Sequence, residues 1–441
     1  MAEQESKVPG KAWVVVFAGT AINLCLGILY AWSVWAKALI SPDVKLAGSP
    51  LTGLNEGWIS LTNAQAATPF SLCVIIFALF MIPGGRIQDK FGPKVGATLG
   101  GLCLAAGCIL AGLMKSYTGL IIGFGILGGI GMGIGYAAPT PAALKWFGPH
   151  KRGLVAGLVV GGYGGAALYI SPLAKYLIDN YGISGSFISL GIFFAVVVII
   201  AGQLLAWPPT GYVPPGASSV AQAKKQSTHN WSAGEMAKTW QFYALVVLFI
   251  GSVQSGLLII ANAAGILAST AKGIPFLMAN AWILASFGGA INALGRVGTG
   301  MYSDKLGRSN AYTVNCVISA ICLFAMPSII ASKNVLLLFL AVGIAYWQYG
   351  GGLALLPAMT ADFYGAKNLG MNYGLVFLGW GLGFFMARLG GTIKDVTGSL
   401  DYAFYMSGAV LIIAVVLVMV TKRPSWEPGL ETAAEIPNRN L

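Results

Sequence analysis

Long apolar stretches alternate with short polar ones along the whole chain. About 20 apolar residues, at roughly 1.5 Å of rise each, form a helix that crosses a bilayer core about 30 Å thick. The pattern therefore predicts an all-α membrane protein with twelve transmembrane helices. We place them at about 12–35, 62–84, 95–114, 118–140, 153–178, 184–207, 240–270, 277–303, 310–331, 335–361, 369–391 and 400–421.

One polar stretch in the middle of the chain is longer than the others. It runs from Pro208 to Lys238 and contains Pro, Ser, Ala, Gln and Lys with few large apolar residues, as expected of a linker. It predicts two six-helix halves. The boundaries are an N-terminal half at 1–207, a cytoplasmic linker at 208–239, a C-terminal half at 240–421 and a cytoplasmic tail at 422–441.

The composition supports a membrane protein. Hydrophobic residues make up 56% of the chain and charged residues only 9%, whereas soluble domains carry about 25% charged residues. The net charge of +12 is distributed unevenly, with seventeen of the 26 Lys and Arg residues on one predicted side and seven on the other. This asymmetry predicts that both termini are cytoplasmic, and it explains the positive charge without a nucleic acid partner. Because Met1 to Lys11 are polar, we expect no cleavable signal peptide.

A short motif occurs once in each half. Asp89 lies in the sequence 85–94 after the second apolar segment, and Asp304, 215 residues later, lies in 300–308 after the eighth. In both copies a glycine precedes the aspartate by four residues, on the same helix face. We expect the charged residues of the motif to form a gate that breaks and re-forms; the alternative is a solvated turn. The gating candidates are Arg86, Asp89, Lys90, Asp304, Lys305 and Arg308.

An arginine lies close to the middle of the eighth apolar segment. About eight residues, or about 12 Å of helix, separate Arg296 from the charged turn at Asp304. A charged side chain at this depth predicts a functional site, because lipid cannot solvate it. Asn292, one turn earlier, should share its helix face and either contact substrate or form an ordinary interhelical hydrogen bond.

Aromatic residues at mid-segment are candidates for the walls of a pocket around a small anion. They are Tyr30, Trp32, Tyr136, Tyr163, Trp347 and Tyr349, of which we expect two or three to contact substrate. Gln254, a polar residue of the seventh segment, is a further candidate.

Other chemistry is not indicated. The six cysteines lie within apolar segments without metal-ligand spacing, so we expect free thiols, no metal and no cofactor. The sequence 123–128 matches a dinucleotide-binding glycine pattern, but it lies inside an apolar span, where small residues serve helix packing. The sequence shows no nucleophile–base set of the kind that enzymes use, so we do not expect an enzyme. His150 and His229 fall in predicted loops, and no acidic residue lies at mid-membrane.

The repeated motif resembles the loop motif of the major facilitator superfamily, and the resemblance covers essentially the whole chain. Within that superfamily, residues 23–33 resemble the first helix of the oxalate/formate antiporter family, and 292–305 resemble its eighth helix. Residues 145–147, 152–153 and 372–374 also match that family. The resemblance implies a carrier of small carboxylates in a cell membrane, the inner membrane in a bacterium, that works as a monomer by alternating access.

At one position this chain differs from the family members that exchange oxalate. They carry a lysine in the eleventh helix, where this chain aligns Trp380. A single fixed cation suits one carboxylate, so we expect a monocarboxylate such as lactate, pyruvate or formate, with oxalate/formate exchange as the alternative. Arg388 is the candidate second cation. Exchange and symport with a proton both remain open, and a transporter-like sensor or an anion channel is disfavoured by the short linker and the paired motifs.

Overall fold

The computed structural model describes residues 8–147, 149–215, 229–365 and 368–425, without the side chains of 149–154, 156 and 370. Parts of the predicted linker (216–228) and tail (426–441), and the side chain of His150, therefore lie outside the described residues. The long helices are α1 (Gly10–Leu39), α2 (Asn63–Phe91), α3 (Pro93–Met114), α4 (Tyr117–Leu144), α5 (149–181), α6 (183–204), α7 (Trp240–Thr270), α8 (Ile283–Leu306), α9 (Arg308–Ala331), α10 (Val335–Tyr364), α11 (Met371–Thr397) and α12 (Asp401–Val420). This architecture confirms the predicted fold class.

Two of the twelve helices, both predicted from the sequence, are not distinguished by helix length and composition alone. By length and composition, ten helical stretches of the described chain are apolar enough to cross a membrane. One of these, Gly157–Leu204, contains two helices, because Gly182 has a left-handed backbone (φ 71°) that separates α5 from α6. The twelfth helix, α8, is absent from the ten and carries Asn292 and Arg296 within its length.

The two copies of the sequence motif end in the same turn geometry. Gly92 connects α2 to α3 with φ 89°, and Gly307 connects α8 to α9 with φ 87°. Only glycine adopts such a conformation without strain, so a single residue is enough to reverse the chain. The repeat that the sequence predicts is therefore also a repeat of backbone geometry.

Glycines allow α8 and α10 to pack unusually closely. A β-carbon on Gly288 would lie 2.3 Å from ring atoms of Tyr346, and one on Gly295 would lie 2.6 Å from the backbone oxygen of Trp347. On α10, a β-carbon on Gly350 would lie 2.3 Å from the backbone oxygen of Asn292. No side chain fits at these distances, so the glycines bring α8 against α10 and fix the direction in which Arg296 points.

The halves are joined by hydrogen bonds at mid-depth and toward one side of the membrane. We call the side where α1 begins and α12 ends the termini side, and the opposite one the far side. On the far side, the carboxylate of Asp395 in α11 accepts hydrogen bonds from the first turn of α2. The donors are the backbone N–H of Asn63 (2.9 Å), its side-chain amide (2.9 Å) and the N–H of Ala64 (2.7 Å). A carboxylate is stabilised at a helix N-terminus by unpaired N–H groups and the helix dipole.

Two further contacts support this far-side closure. Lys37 at the end of α1 donates to the backbone oxygen of Met278 at 2.8 Å. Ser286 of α8 donates to the backbone oxygen of Ala167 in α5 at 3.0 Å. These hydrogen bonds must break when the halves separate on the far side.

We expect the substitution Asp395→Asn to weaken the far-side closure. The amide keeps one acceptor oxygen but turns an NH₂ group toward N–H donors, and a hydrogen bond to a charged group contributes about 1.5–3 kcal/mol. The measurement is the distance between nitroxide labels at the exposed residues Leu46 and Phe276, one in the far-side loops of each half, in a background without the native cysteines. In Asp395→Asn the distance distribution should shift toward longer values.

The matched control is Asp179→Asn. Asp179 is an exposed far-side carboxylate that pairs with Lys175 within α5, so its loss breaks no contact between the halves. An unchanged distribution in Asp395→Asn, or the same shift in both variants, would contradict the role assigned to Asp395.

Candidate functional site

Arg296 lies in the middle of α8 at the interface between the halves and is only 7% exposed. Its guanidinium donates to the hydroxyl of Tyr30 (3.1 Å), to the amide oxygen of Asn292 (3.3 Å) and to the backbone oxygen of Val160 (3.4 Å). All three acceptors are neutral, and within the described part of the chain Arg296 forms no salt bridge. The site therefore holds a buried positive charge without a counter-ion.

The hydroxyl of Tyr30 reaches Arg296 because α1 tightens near its middle. Residues Gly27–Ala31 form a 3₁₀ turn inside α1. A β-carbon on Gly27 would lie 2.4 Å from that of Ala166 and 2.5 Å from the backbone oxygen of Tyr163, so this glycine lets α1 contact α5. Tightened turns inside long helices often mark functional positions.

The hydroxyl of Tyr30 continues into a chain of polar aromatic contacts. It lies 3.0 Å from the hydroxyl of Tyr349, which accepts a hydrogen bond from the indole N–H of Trp380 at 2.9 Å. The three side chains come from α1, α10 and α11, and each is at most 1% exposed. Trp380 therefore joins the site through Tyr349, at the position where the resemblance implies a lysine in oxalate exchangers.

Two further tyrosines of the first half, Tyr136 and Tyr163, lie beside Tyr30. The ring of Tyr163 lies 5.3 Å from that of Tyr30 and 5.0 Å from that of Tyr136, in edge-to-face contacts. Tyr136 is close enough to Arg296 to interact with it electrostatically. Of the substrate-contact candidates, the structure thus gathers Arg296, Asn292, Tyr30, Tyr136, Tyr349 and Trp380 around one point.

Gly164 of α5 faces the same point. A β-carbon there would lie 3.2 Å from Nε of Arg296 and 3.3 Å from Nδ2 of Asn292. These distances are shorter than ordinary contacts, so a larger residue would require the two polar side chains to shift by a few tenths of an ångström, and glycine leaves them room against α5. The close approach of α5 to α8 brings the backbone oxygen of Val160 within reach of Arg296.

Other candidates have different surroundings. The indole N–H of Trp347 lies 3.4 Å from the Tyr302 hydroxyl, and its ring packs beside Gly298 of α8. Gln254 joins α7 to α12, because its amide donates to the backbone oxygen of Ser407 at 3.0 Å and accepts from the Ser407 hydroxyl at 2.6 Å.

Arg388 and Trp32 form hydrogen bonds elsewhere. Arg388 donates to Thr392 within α11 at 2.5 Å. Trp32 donates to the backbone oxygen of Ala66 at 3.0 Å, inside the first half.

The gating candidates lie on the termini side and differ between the halves. In the second half, Arg308 pairs with Asp304 at 2.6 Å and lies 3.7 Å from Asp362 of α10, which also lies 3.9 Å from Arg423. Lys305 is exposed. In the first half, Asp89 accepts from Gln88 at 3.2 Å, and Arg86 and Lys90 are exposed.

The backbone oxygen of Val160, which accepts from Arg296, was not among the sequence candidates, because any residue supplies such an oxygen. Tyr346 of α10 was not a candidate either. It is 1% exposed, its ring packs beside Gly288, and its spacing of three residues from Tyr349 puts both on one helix face.

Comparisons with known proteins agree with this fold. The sequence model described as "Major Facilitator Superfamily" matches residues 12–354. The chain belongs to the Major Facilitator Superfamily and is a multi-pass membrane transporter.

Among its relatives, the chain is similar to an "Oxalate:formate antiporter" of Oxalobacter formigenes, with 28% identity over 84% of this chain and 82% of the relative. It is also similar to "Apicoplast pyruvate carrier 1" of Toxoplasma gondii, with 25% identity over 82% and 80%. Among solved structures, the xylose transporter XylE of E. coli in a "partially occluded inward open conformation" superposes with a TM-score of 0.67. That match covers 93% of this chain and 99% of XylE at 14% identity, which supports the fold alone.

The packing of α8 on α10 leads to a stability prediction. Gly288→Ala places a β-carbon 2.3 Å from the buried Tyr346 ring, and overpacking of this kind costs about 1–3 kcal/mol. We expect a lower thermal unfolding temperature of the purified protein in detergent.

Gly300→Ala on the same helix is the control, because no atom lies within 4 Å of its β-carbon. Alanine favours a helix over glycine by about 0.5–1 kcal/mol, so this variant should be at least as stable as the wild type. Equal unfolding temperatures for Gly288→Ala and the wild type would contradict the close packing described for α8 and α10.

Proposed function

We propose that this protein is a secondary active transporter of small carboxylates, chiefly monocarboxylates such as lactate, pyruvate or formate. Arg296 binds the carboxylate, and the two halves alternate around it. The observation that carries the proposal is the buried guanidinium of Arg296, whose acceptors are three neutral oxygens. A monovalent anion at this point supplies the missing charge and accepts two parallel N–H hydrogen bonds.

The way in which Arg296 joins the halves suggests how binding is coupled to movement. Arg296 belongs to the second half, while Tyr30 and Val160 belong to the first. A carboxylate competes for the same N–H donors and so replaces contacts that hold the halves together at mid-depth. The loaded carrier then crosses with its charge neutralised, whereas the empty carrier must move a bare cation. This favours exchange, and symport remains compatible if the proton travels with the substrate.

Oxalate/formate exchange is the second candidate, because one relative carries that name. A dicarboxylate needs a second cation in a dry site. Trp380 brings a neutral N–H to the cluster through Tyr349, and Arg388 donates to Thr392. These contacts favour a single carboxylate, in line with the relative named as a pyruvate carrier.

The orientation follows from the charge distribution. We place both termini in the cytoplasm, and the protein in the cell membrane, which in a bacterium is the inner membrane. The far side, where Asp395 of α11 accepts hydrogen bonds from the first turn of α2, then faces outward. The arrangement is that of a carrier closed toward the outside, and we expect it to act as a monomer.

Counterflow in liposomes tests the function. Purified protein in vesicles preloaded with unlabelled pyruvate should accumulate labelled pyruvate, and Arg296→Gln should lower the initial rate about 30-fold or more, because removing one partner of a buried charge pair costs about 2–5 kcal/mol.

Arg388→Gln is the matched control, since it removes an arginine from a neighbouring helix and should keep most of the uptake. Unchanged uptake in Arg296→Gln would overturn the proposed function. Greater stimulation by preloaded oxalate than by pyruvate, lost in Arg388→Gln, would instead favour the oxalate/formate exchanger.

A further inference from the structure

A cavity of about 300 Å³ lies between the halves on the far side of the protein. Residues of α1 and α5 line it from the first half, and residues of α7 and of the segment before α8 line it from the second half. One of the lining residues, Lys37, lies seven residues beyond Tyr30 on α1, or about 10 Å of helix toward the far side. The cavity is therefore located between the far-side solution and the Arg296 site.

The charged residues of the cavity wall are two lysines and one aspartate. They are Lys37 of α1 and Lys175 and Asp179 of α5. Asp179 pairs with Lys175 along the helix, and because both side chains are partly exposed, this ion pair is weak. None of the salt bridges in the described part of the chain involves Lys37. The wall thus carries a net positive charge.

The ammonium group of Lys37 is only partly used by its contact with the second half. It donates to the backbone oxygen of Met278 at 2.8 Å. An ammonium group has three N–H donors, and a carbonyl oxygen provides no charge to compensate it. An anion in the cavity can therefore bind Lys37 more strongly than the Met278 oxygen does, because a hydrogen bond between two charged groups is the stronger one.

The rest of the cavity wall is apolar. Val34 of α1, Ile178 of α5 and Ala264 of α7 line it together with the charged residues. Cations on one side and aliphatic side chains on the other match an anion that has a charged end and a short carbon chain. A small monocarboxylate has this shape, and its two oxygens can accept hydrogen bonds from both lysines.

We propose that Lys37 and Lys175 form a second carboxylate site, separate from Arg296, that is occupied while the far side is closed. The choice of a carboxylate as the ligand rests on the proposed function. A carboxylate bound at this outer site competes with the Met278 oxygen for Lys37, and so weakens a contact that joins the halves on the far side. The arrival of substrate is thereby coupled to the opening of that side.

Solid-state NMR distinguishes the two sites in one sample. The protein carries ¹⁵N in the side chains of lysine and arginine, whose signals differ in chemical shift, and the probe is pyruvate with ¹³C at the carboxylate carbon. The wild type should show dipolar coupling of that carbon to lysine ζ nitrogens as well as to arginine, at about 4 Å. In Lys37→Gln and in Lys175→Gln the lysine coupling should fall at least 5-fold. Retained arginine coupling then reports that each variant is folded.

Lys272→Gln is the matched control, because Lys272 is an exposed far-side lysine outside the cavity lining. It should keep both couplings. Arg296→Gln should lose the arginine coupling and keep the lysine coupling, since the outer site uses other residues.

The competition with Met278 has its own readout in the distance between nitroxide labels at Leu46 and Phe276. In Arg296→Gln, where the central site is disabled, saturating pyruvate should shift this distance toward longer values. Adding Lys37→Gln should abolish the response to pyruvate, because the competing contact is then already lost.

Four outcomes would overturn the inference. They are absence of lysine coupling in the wild type, lysine coupling that survives in Lys37→Gln or Lys175→Gln, displacement of the coupled pyruvate by an equal concentration of chloride, and a label distance that pyruvate leaves unchanged. In each case, arginine coupling that depends on Arg296 would leave the proposed function standing. Lysine coupling without arginine coupling in the wild type would instead contradict the proposed function and leave the outer site in place.

Discussion

The burial of one cation, Arg296, is the constraint on which the rest of this structure depends. A guanidinium taken out of water needs acceptors for its N–H groups, and lipid supplies none. Here the acceptors come from three helices: Tyr30 from α1, Val160 from α5 and Asn292 from α8 itself. Tyr30 and Val160 lie within reach because glycines allow close helix contacts, Gly27 between α1 and α5 and Gly164 between α5 and α8, whereas Asn292 is one turn away on α8 itself. The glycine content of the helices therefore serves the charged site as well as general packing.

The neutrality of those acceptors links the structure to transport. If a carboxylate side chain faced Arg296, the charge would be satisfied in the empty protein and a substrate anion would have to displace it. With hydroxyl, amide and backbone oxygens as partners, each guanidinium nitrogen has an acceptor but the charge has no counter-ion among the described residues. An anion then improves the electrostatics of the site without breaking an ion pair. The far-side hydrogen bonds of Asp395 show the opposite arrangement, because there a carboxylate is already paired with the N-terminus of α2.

Much of this architecture can be predicted from the sequence. For the parts that cannot be predicted, a physical reason can be identified. The alternation of apolar and polar stretches predicts twelve transmembrane helices. The energetic cost of burying a charge in the membrane identifies Arg296 as a candidate site residue. The break predicted between residues 178 and 184 coincides with Gly182, whose left-handed backbone separates α5 from α6. The helix that carries Arg296 is not among the ten stretches that are apolar enough to cross a membrane by length and composition, and it carries the polar residues Asn292 and Arg296.

The site itself is less predictable than the fold. Trp347 lies at the predicted depth, yet helix rotation directs its indole toward Tyr302, while Tyr349, two residues later, contacts Tyr30. One residue along a helix turns a side chain by about 100°, since 3.6 residues make a turn. The Val160 carbonyl and the contact of Asp395 with α2 depend on how distant segments meet, which no local pattern specifies.

Solid-state NMR of the protein with pyruvate labelled with ¹³C at the carboxylate carbon tests the central claim most directly. With ¹⁵N-labelled arginine, the account predicts dipolar coupling between that carbon and guanidinium nitrogens at about 4 Å, the range of a salt bridge. The coupling should be absent in Arg296→Gln and present in Arg388→Gln. Bound pyruvate without coupling to any arginine, or coupling that survives in Arg296→Gln, would contradict it.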